Sequence, residues 1–236
     1  FLGVDIFFVI SGFVITSSLS NREYKNFNNF IVEFYERRAK RLLPSIFIFV
    51  VLTSFLICFF ELNPVNSLNT GISALFGLSN LYLLKNSTDY FAQSTEFNVF
   101  THTWSIGVEI QFYIVYPILI WITGFNRKRN GNSKLFFTLL FLLICSLFSF
   151  IYFYSTNQPL AYFSMPTRFW EITIGCITFL LVQKRNNFIK KLENFSSIIL
   201  FIIMIVILFL PISLAIFSTI AISFLTSLIL ISLRIE

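Results

Sequence analysis

Long apolar runs recur from one end of this chain to the other, and they leave few folds open to it. An α-helix rises about 1.5 Å per residue, so about 20 apolar residues cross the hydrocarbon core of a bilayer. Runs of that order lie at residues 2–19, 42–60, 103–125, 135–154, 169–182, 196–210 and 212–233. Transmembrane strands would alternate polar and apolar residues over segments of ~10 residues, and these runs do not alternate. A soluble domain is excluded by composition. Of the 236 residues 56% are hydrophobic and 12% charged, and the mean hydropathy is +0.81, more apolar material than one globular core needs. The expected class is all-α, a polytopic transmembrane helix bundle of about seven spans. No internal repeat or soluble linker interrupts it, so residues 1–236 read as a single membrane domain.

Charge sets the expected orientation. The net charge is +6, but it is not spread as a nucleic-acid-binding surface would be. Residues 21–41, 126–134 and 184–191 hold six, four and four of the 17 Lys and Arg. Short basic loops between spans mark the cytoplasmic side. The remaining three cations are Lys85, Arg168 and Arg234. The 71–84 stretch is apolar but short for a crossing, and if it crossed, the 126–134 cluster would fall outside. We therefore expect 71–84 to be re-entrant or interfacial and 85–101 to be a polar outer loop, with a further outer loop starting at Thr156-Asn157-Gln158-Pro159. Within the first basic segment, 30–41 reads as an amphipathic helix on the inner membrane surface, with Arg38 and Arg41 on one face. Pro44 then falls in the first turn of the second span. Cys58, Cys145 and Cys176 lie in apolar runs without metal-ligand spacing, as packing residues. Asn86-Ser87-Thr88 matches a glycosylation triplet that is frequent by chance. The first residue is Phe and the opening segment already reads as the inside of an element, so a longer protein is expected.

The stretch from His102 to Tyr113 carries the polar exceptions. Glu109 and Gln111 sit inside a span, where a charged residue costs a few kcal/mol, so they are expected to face protein or a watery cavity. His102 precedes Glu109 by seven residues, about two α-helical turns, which places both on nearly the same face. The sharper expectation makes that face an acceptor passage, with Glu109 orienting or polarising partners and His102 titrating at its mouth. The plainer one makes His102 a helix cap and Glu109 a packing partner. Trp104, Ser105, Gln111 and Tyr113 flank the same face, although aromatic residues here also suit interface or packing duty. Asp5 opens the first span on the outer side, either at the passage or as a helix-start carboxylate. Ser11-Gly12 suits close helix packing. Arg168 and Glu171, three residues apart at a helix start, read as a local ion pair. An intramembrane Glu, an amide and a re-entrant segment also describe a transporter of a small polar solute, although no inverted repeat is visible.

Three stretches resemble the acyltransferase 3 family. Gly3-Val4-Asp5-Ile6-Phe7-Phe8-Val9-Ile10-Ser11-Gly12-Phe13 is similar to its second-helix signature, and Arg37-Arg38-Ala39-Lys40-Arg41-Leu42-Leu43-Pro44 to its arginine motif. His102-Thr103-Trp104-Ser105 through Glu109, Gln111-Phe112-Tyr113 and Tyr116-Pro117 resembles its third signature. Arg168-Phe169-Trp170-Glu171 with Gly175 is a weaker match. The resemblance implies a bundle of about ten helices in a bacterial inner membrane. It also implies acyl transfer, acetyl foremost, from acyl-CoA to a hydroxyl of a cell-surface polysaccharide or its lipid-linked precursor, such as O-antigen, lipopolysaccharide or exopolysaccharide. Acyl-CoA is then a co-substrate and no bound cofactor or metal is expected. Arg38 and Arg41 would hold the CoA phosphates, and Glu109 and His102 would be the catalytic candidates. The family's first helix carries an arginine and a histidine thought to act as base. This chain starts after that helix, so further helices are expected beyond both ends.

Overall fold

The computed structural model describes residues 2–20, 26–61, 64–86, 98–184, 192 and 196–233. Among these residues every regular element is helical. The helices are α1 (Leu2–Ser20), α2 (Phe27–Phe60), α3 (Val65–Leu75), α4 (Ser79–Lys85), α5 (Trp104–Thr123), α6 (Gly131–Thr156), α7 (Gln158–Phe163), α8 (Met165–Lys184), α9 (Ser197–Leu208) and α10 (Ala215–Ser232). Single 3-10 turns at Thr101–Thr103 and Ile212–Leu214 lead into α5 and α10. Six helical segments among the described residues are long and apolar enough to cross a membrane. The chain is an all-helical, multi-pass membrane protein. Of the seven expected spans, 196–210 falls short, because α9 holds only 12 residues, about 18 Å of helix.

Two other expectations are corrected. The basic 30–41 segment and the second span are one helix, α2, of 34 residues with Pro44 inside it. A helix that long extends about 50 Å, against a hydrocarbon core of ~30 Å. Its charged third is an extension of the span rather than a separate helix lying on the surface. A Pro can be carried in such a helix when the surroundings satisfy the carbonyl it leaves unbonded. The outer loop expected from Thr156 shrinks to Asn157, whose side chain accepts the Leu160 amide at 3.1 Å and caps α7. Most of the expected 85–101 loop, including Ser87 and Thr88 of the glycosylation triplet, lies outside the described residues. So do Arg22, Lys25, Arg234 and the 185–191 part of the third basic cluster. Cys176 is buried as expected of a packing residue, but Cys58 and Cys145 are exposed on their helices, because an apolar span turns part of its surface to lipid.

The chain divides into two compact units. The first comprises Phe1–Glu23, Thr123–Ile151 and Phe169–Glu236. Its centre is the crossing of α1 and α8. A Cβ on Gly12 would lie 1.9 Å from the Ile172 carbonyl oxygen, and one on Gly175 would lie 1.9 Å from that of Val9. Only glycine at both positions lets the two backbones come this close, the small-residue device of membrane helix pairs. Phe13 and Phe179 meet edge to face beside the crossing, 5.5 Å apart. Leu2, Met204 and Ile222 join α1, α9 and α10 at one end. At the other end Asn126 Nδ2 donates to the Ser20 carbonyl at 2.6 Å, and Lys184 Nζ donates to Ser133 Oγ at 3.4 Å. The ends of α1 and α8 and the start of α6 therefore converge, which gathers the flanks of the basic loops at one end of this unit.

The second unit comprises Tyr24–Ile122 and Tyr152–Arg168. Here α2 and α5 run antiparallel along their length. Phe27 and Phe30 meet Trp121 at 5.0 and 5.8 Å, Phe34 meets Tyr113 at 6.2 Å, and Phe49 meets Phe100, just ahead of α5, at 5.8 Å. Ile46, Val50, Ile57, Ala74 and Phe100 form the core above. The 71–84 stretch is a helix, a turn and a helix. Gly77 supplies the turn with φ of +69°, a backbone conformation glycine adopts without the steric cost of a Cβ.

Candidate functional site

The continuity of α2 moves the arginine motif. In register with α5, Arg38 comes to the level of Tyr113, eight residues and about 12 Å of helix away from Trp121. Its guanidinium carbon lies 5.5 Å from the Tyr113 ring centre and 5.9 Å from that of Phe34. Arg38 is 9% exposed. Its neighbours on the helix differ. Arg37 pairs with Glu33, and Lys40 Nζ lies 2.5 Å from Glu36, each pair spanning one turn with the glutamate on the N-terminal side, the favourable order. Arg41 is exposed. The expected shared face therefore splits into one buried and one exposed guanidinium.

Glu109 stands one turn before Tyr113 on α5, and its side chain is buried. The Tyr113 hydroxyl donates to Glu109 Oε1. Arg38, Tyr113 and Glu109 thus form one contiguous set, with Phe34 closing its aromatic side. His102 does not join it through a shared helix face. It lies in the 3-10 turn ahead of α5 and is exposed; three residues per turn there break the phase on which the seven-residue spacing depended. Ser105 Oγ donates to the His102 carbonyl at 3.3 Å.

Gln111 faces a different neighbour. Its Nε2 donates to Asn80 Oδ1 at 2.9 Å, and Asn80 Nδ2 donates to the Phe163 carbonyl at 3.0 Å. Gly107 admits this amide, since a Cβ there would lie 2.6 Å from Asn80 Oδ1. Ser79 Oγ adds a bond to the Thr103 carbonyl at 2.8 Å. The turn at Gly77 thus brings two successive polar residues of α4 onto the start and middle of α5. Trp104 is buried and meets Phe163 edge to face at 5.8 Å. Asp5 belongs to the first unit, where it is buried in the first turn of α1.

Two residues rise in standing on this geometry. Asn80 went unremarked because its run reads as apolar, and a polar residue within the 71–84 stretch was its only signal. Arg168 is expected from its spacing to form a local ion pair with Glu171. It is 1% exposed, with its guanidinium carbon 4.7 Å from the Tyr162 ring centre and 5.7 Å from that of Trp104. Glu171 is fully buried too. The rule that singled out Glu109, a charge inside an apolar helix, applied equally to Arg168 once α7 and α8 followed each other without a loop.

Against known proteins, the acyltransferase domain family matches residues 1–235. The chain belongs to the acyltransferase 3 family. This acyltransferase 3 chain is 35% identical over 179 residues to the O-acetyltransferase OatA of Staphylococcus aureus, covering 75% of this chain and 29% of that protein. It is 30% identical over 177 residues to the putative peptidoglycan O-acetyltransferase YrhL of Bacillus subtilis, covering 75% and 28%. An uncharacterized protein of Haemophilus influenzae is 32% identical over 204 residues, covering 83% and 82%. The chain thus spans under a third of the length of the two named acetyltransferases. No solved structure matches it.

Proposed function

We propose that this chain is the membrane domain of an O-acyltransferase that moves an acyl group, acetyl foremost, from acyl-CoA to a hydroxyl of a cell-surface glycan or its lipid-linked precursor. The membrane is the bacterial inner membrane, with the donor on the cytoplasmic side. The observation that carries this reading is the buried Arg38, held between Phe34 and Tyr113 and joined through Tyr113 to Glu109. A guanidinium buried among apolar helices is costly and marks function in membrane proteins by default. Its planar fork of donors suits phosphate, and the exposed Arg41 one turn away supplies a second cation for a polyanionic donor.

In the transfer, the acceptor hydroxyl loses its proton as its oxygen attacks the thioester carbonyl, and the tetrahedral oxyanion collapses with departure of the CoA thiolate, which takes up a proton. Glu109 orients and polarises the reacting groups in the interior, and His102, ahead of α5, is the second catalytic candidate. Trp104, Ser105, Gln111 and Tyr113, all of the second unit, are proposed along the acceptor passage. The likeness to the putative peptidoglycan O-acetyltransferase YrhL supports a glycan acceptor and adds peptidoglycan to the candidates O-antigen, lipopolysaccharide and exopolysaccharide.

The test uses the full-length protein in membrane vesicles, with labelled acetyl-CoA and a panel of these glycans. Replacing Arg38 and Arg41 with Lys preserves the positive charge that sets orientation. The double variant is expected to insert normally and to lose at least about tenfold in kcat/KM for acetyl-CoA, because a point charge does not replace a planar fork. Wild-type transfer rates in that variant would refute the donor site.

A further inference from the structure

Tyr113 touches both Arg38 and Glu109 in the second unit. It sits on α5 one turn beyond Glu109 and is 4% exposed. Its ring lies under Arg38, with the guanidinium carbon 5.5 Å from the ring centre. Its hydroxyl donates to Glu109 Oε1. Phe34 meets the same ring edge to face at 6.2 Å and lies under the same guanidinium at 5.9 Å. The ring is therefore fixed from α2 as well as from its own helix.

We infer that Tyr113 is a positioning residue that couples the donor cation to the interior carboxylate, its ring setting Arg38 and its hydroxyl setting Glu109. The assignment of Arg38 to the donor rests on the function proposed above; the tie itself rests on contacts within one unit. Aromatic contact orients a guanidinium without neutralising it. A phenol hydrogen-bonded to one carboxylate oxygen fixes the plane of that carboxylate. The two tasks use different parts of one side chain and are separable by substitution. Tyr113→Phe retains the ring and removes the hydroxyl, whereas Tyr113→Leu removes both.

The experiment measures acetyl transfer by the full-length protein in vesicles, with acetyl-CoA varied. Tyr113→Phe is expected to lower kcat about tenfold while keeping KM for acetyl-CoA within about twofold. Tyr113→Leu is expected to raise KM for acetyl-CoA about tenfold in addition, through loss of the surface that holds Arg38. Equal losses in the Phe and Leu variants would overturn the coupling and leave a packing residue. Should the wild type consume no acetyl-CoA, the donor reading fails, and the tie is judged by thermal unfolding in detergent. Tyr113→Phe and Glu109→Gln are then expected to be non-additive, since each removes the same bond, and additive losses would overturn it.

Discussion

Glu109, Arg38 and Arg168 are three buried ionisable side chains of the second unit, and each meets aromatic side chains. Taking a charge out of water costs several kcal/mol unless polar or aromatic partners compensate it. Arg38 and Arg168 each lie over two aromatic rings, whereas Glu109 accepts from a phenol. Asn80 is a neutral counterpart. Its one amide serves both Gln111 and the Phe163 carbonyl, so it secures α4 to α5 and to α7 together. Asn80→Leu leaves the Gln111 amide without that partner and is expected to cost about 1–3 kcal/mol, the desolvation penalty of an unpaired buried group. Thermal unfolding in detergent reads this loss, and limited proteolysis should find the 64–86 segment cut faster in the variant. Gln111→Leu alone, which leaves the bond to Phe163, should lose less.

Among the elements, α2 and the α1–α8 crossing decide most. Pro44 and the charged residues before it suggested a break between a surface helix and a span. The aromatic zipper of Phe27, Phe30 and Phe34 along α5 keeps α2 in one piece and so carries Arg38 alongside the middle of α5. In the first unit, the Gly12 and Gly175 contacts are reciprocal and close. Gly12→Ala and Gly175→Ala must each push a methyl into a carbonyl of the facing helix. Each is expected to lower stability by about 1–3 kcal/mol, the usual cost of overpacking. Gly3→Ala, where nothing lies within 4 Å, should be neutral in the same thermal assay. The double variant should lose less than the sum, because both changes force apart the same pair of backbones. Equal behaviour of the Gly3 and Gly12 variants would contradict the crossing.

At the scale of the whole molecule, charge and geometry agree within the first unit. The basic loops that begin after Ser20, at Asn126 and after Lys184 are flanked by helix ends that meet one another, as loops on one side of a membrane must. Reporter fusions after Ser20 and at Asn130 should therefore report the same, cytoplasmic compartment, and a fusion at Asn157 the opposite one. Different compartments for Ser20 and Asn130 would reject this topology. Composition and run length were enough to specify helices and an approximate number of crossings, because lipid penalises every unpaired backbone group and every stray charge. The glycine at position 12 was legible as a packing site for the same reason. Residue order also carried the family, through signatures spread from Gly3 to Gly175. It could not carry the phase between neighbouring helices. Whether Arg38 rests on a surface or beside Glu109, whether His102 continues the helix of Glu109, and which side chain Asn80 meets depend on how α2, α4 and α5 pack. That packing is fixed by contacts between residues far apart in the chain, which no local periodicity encodes.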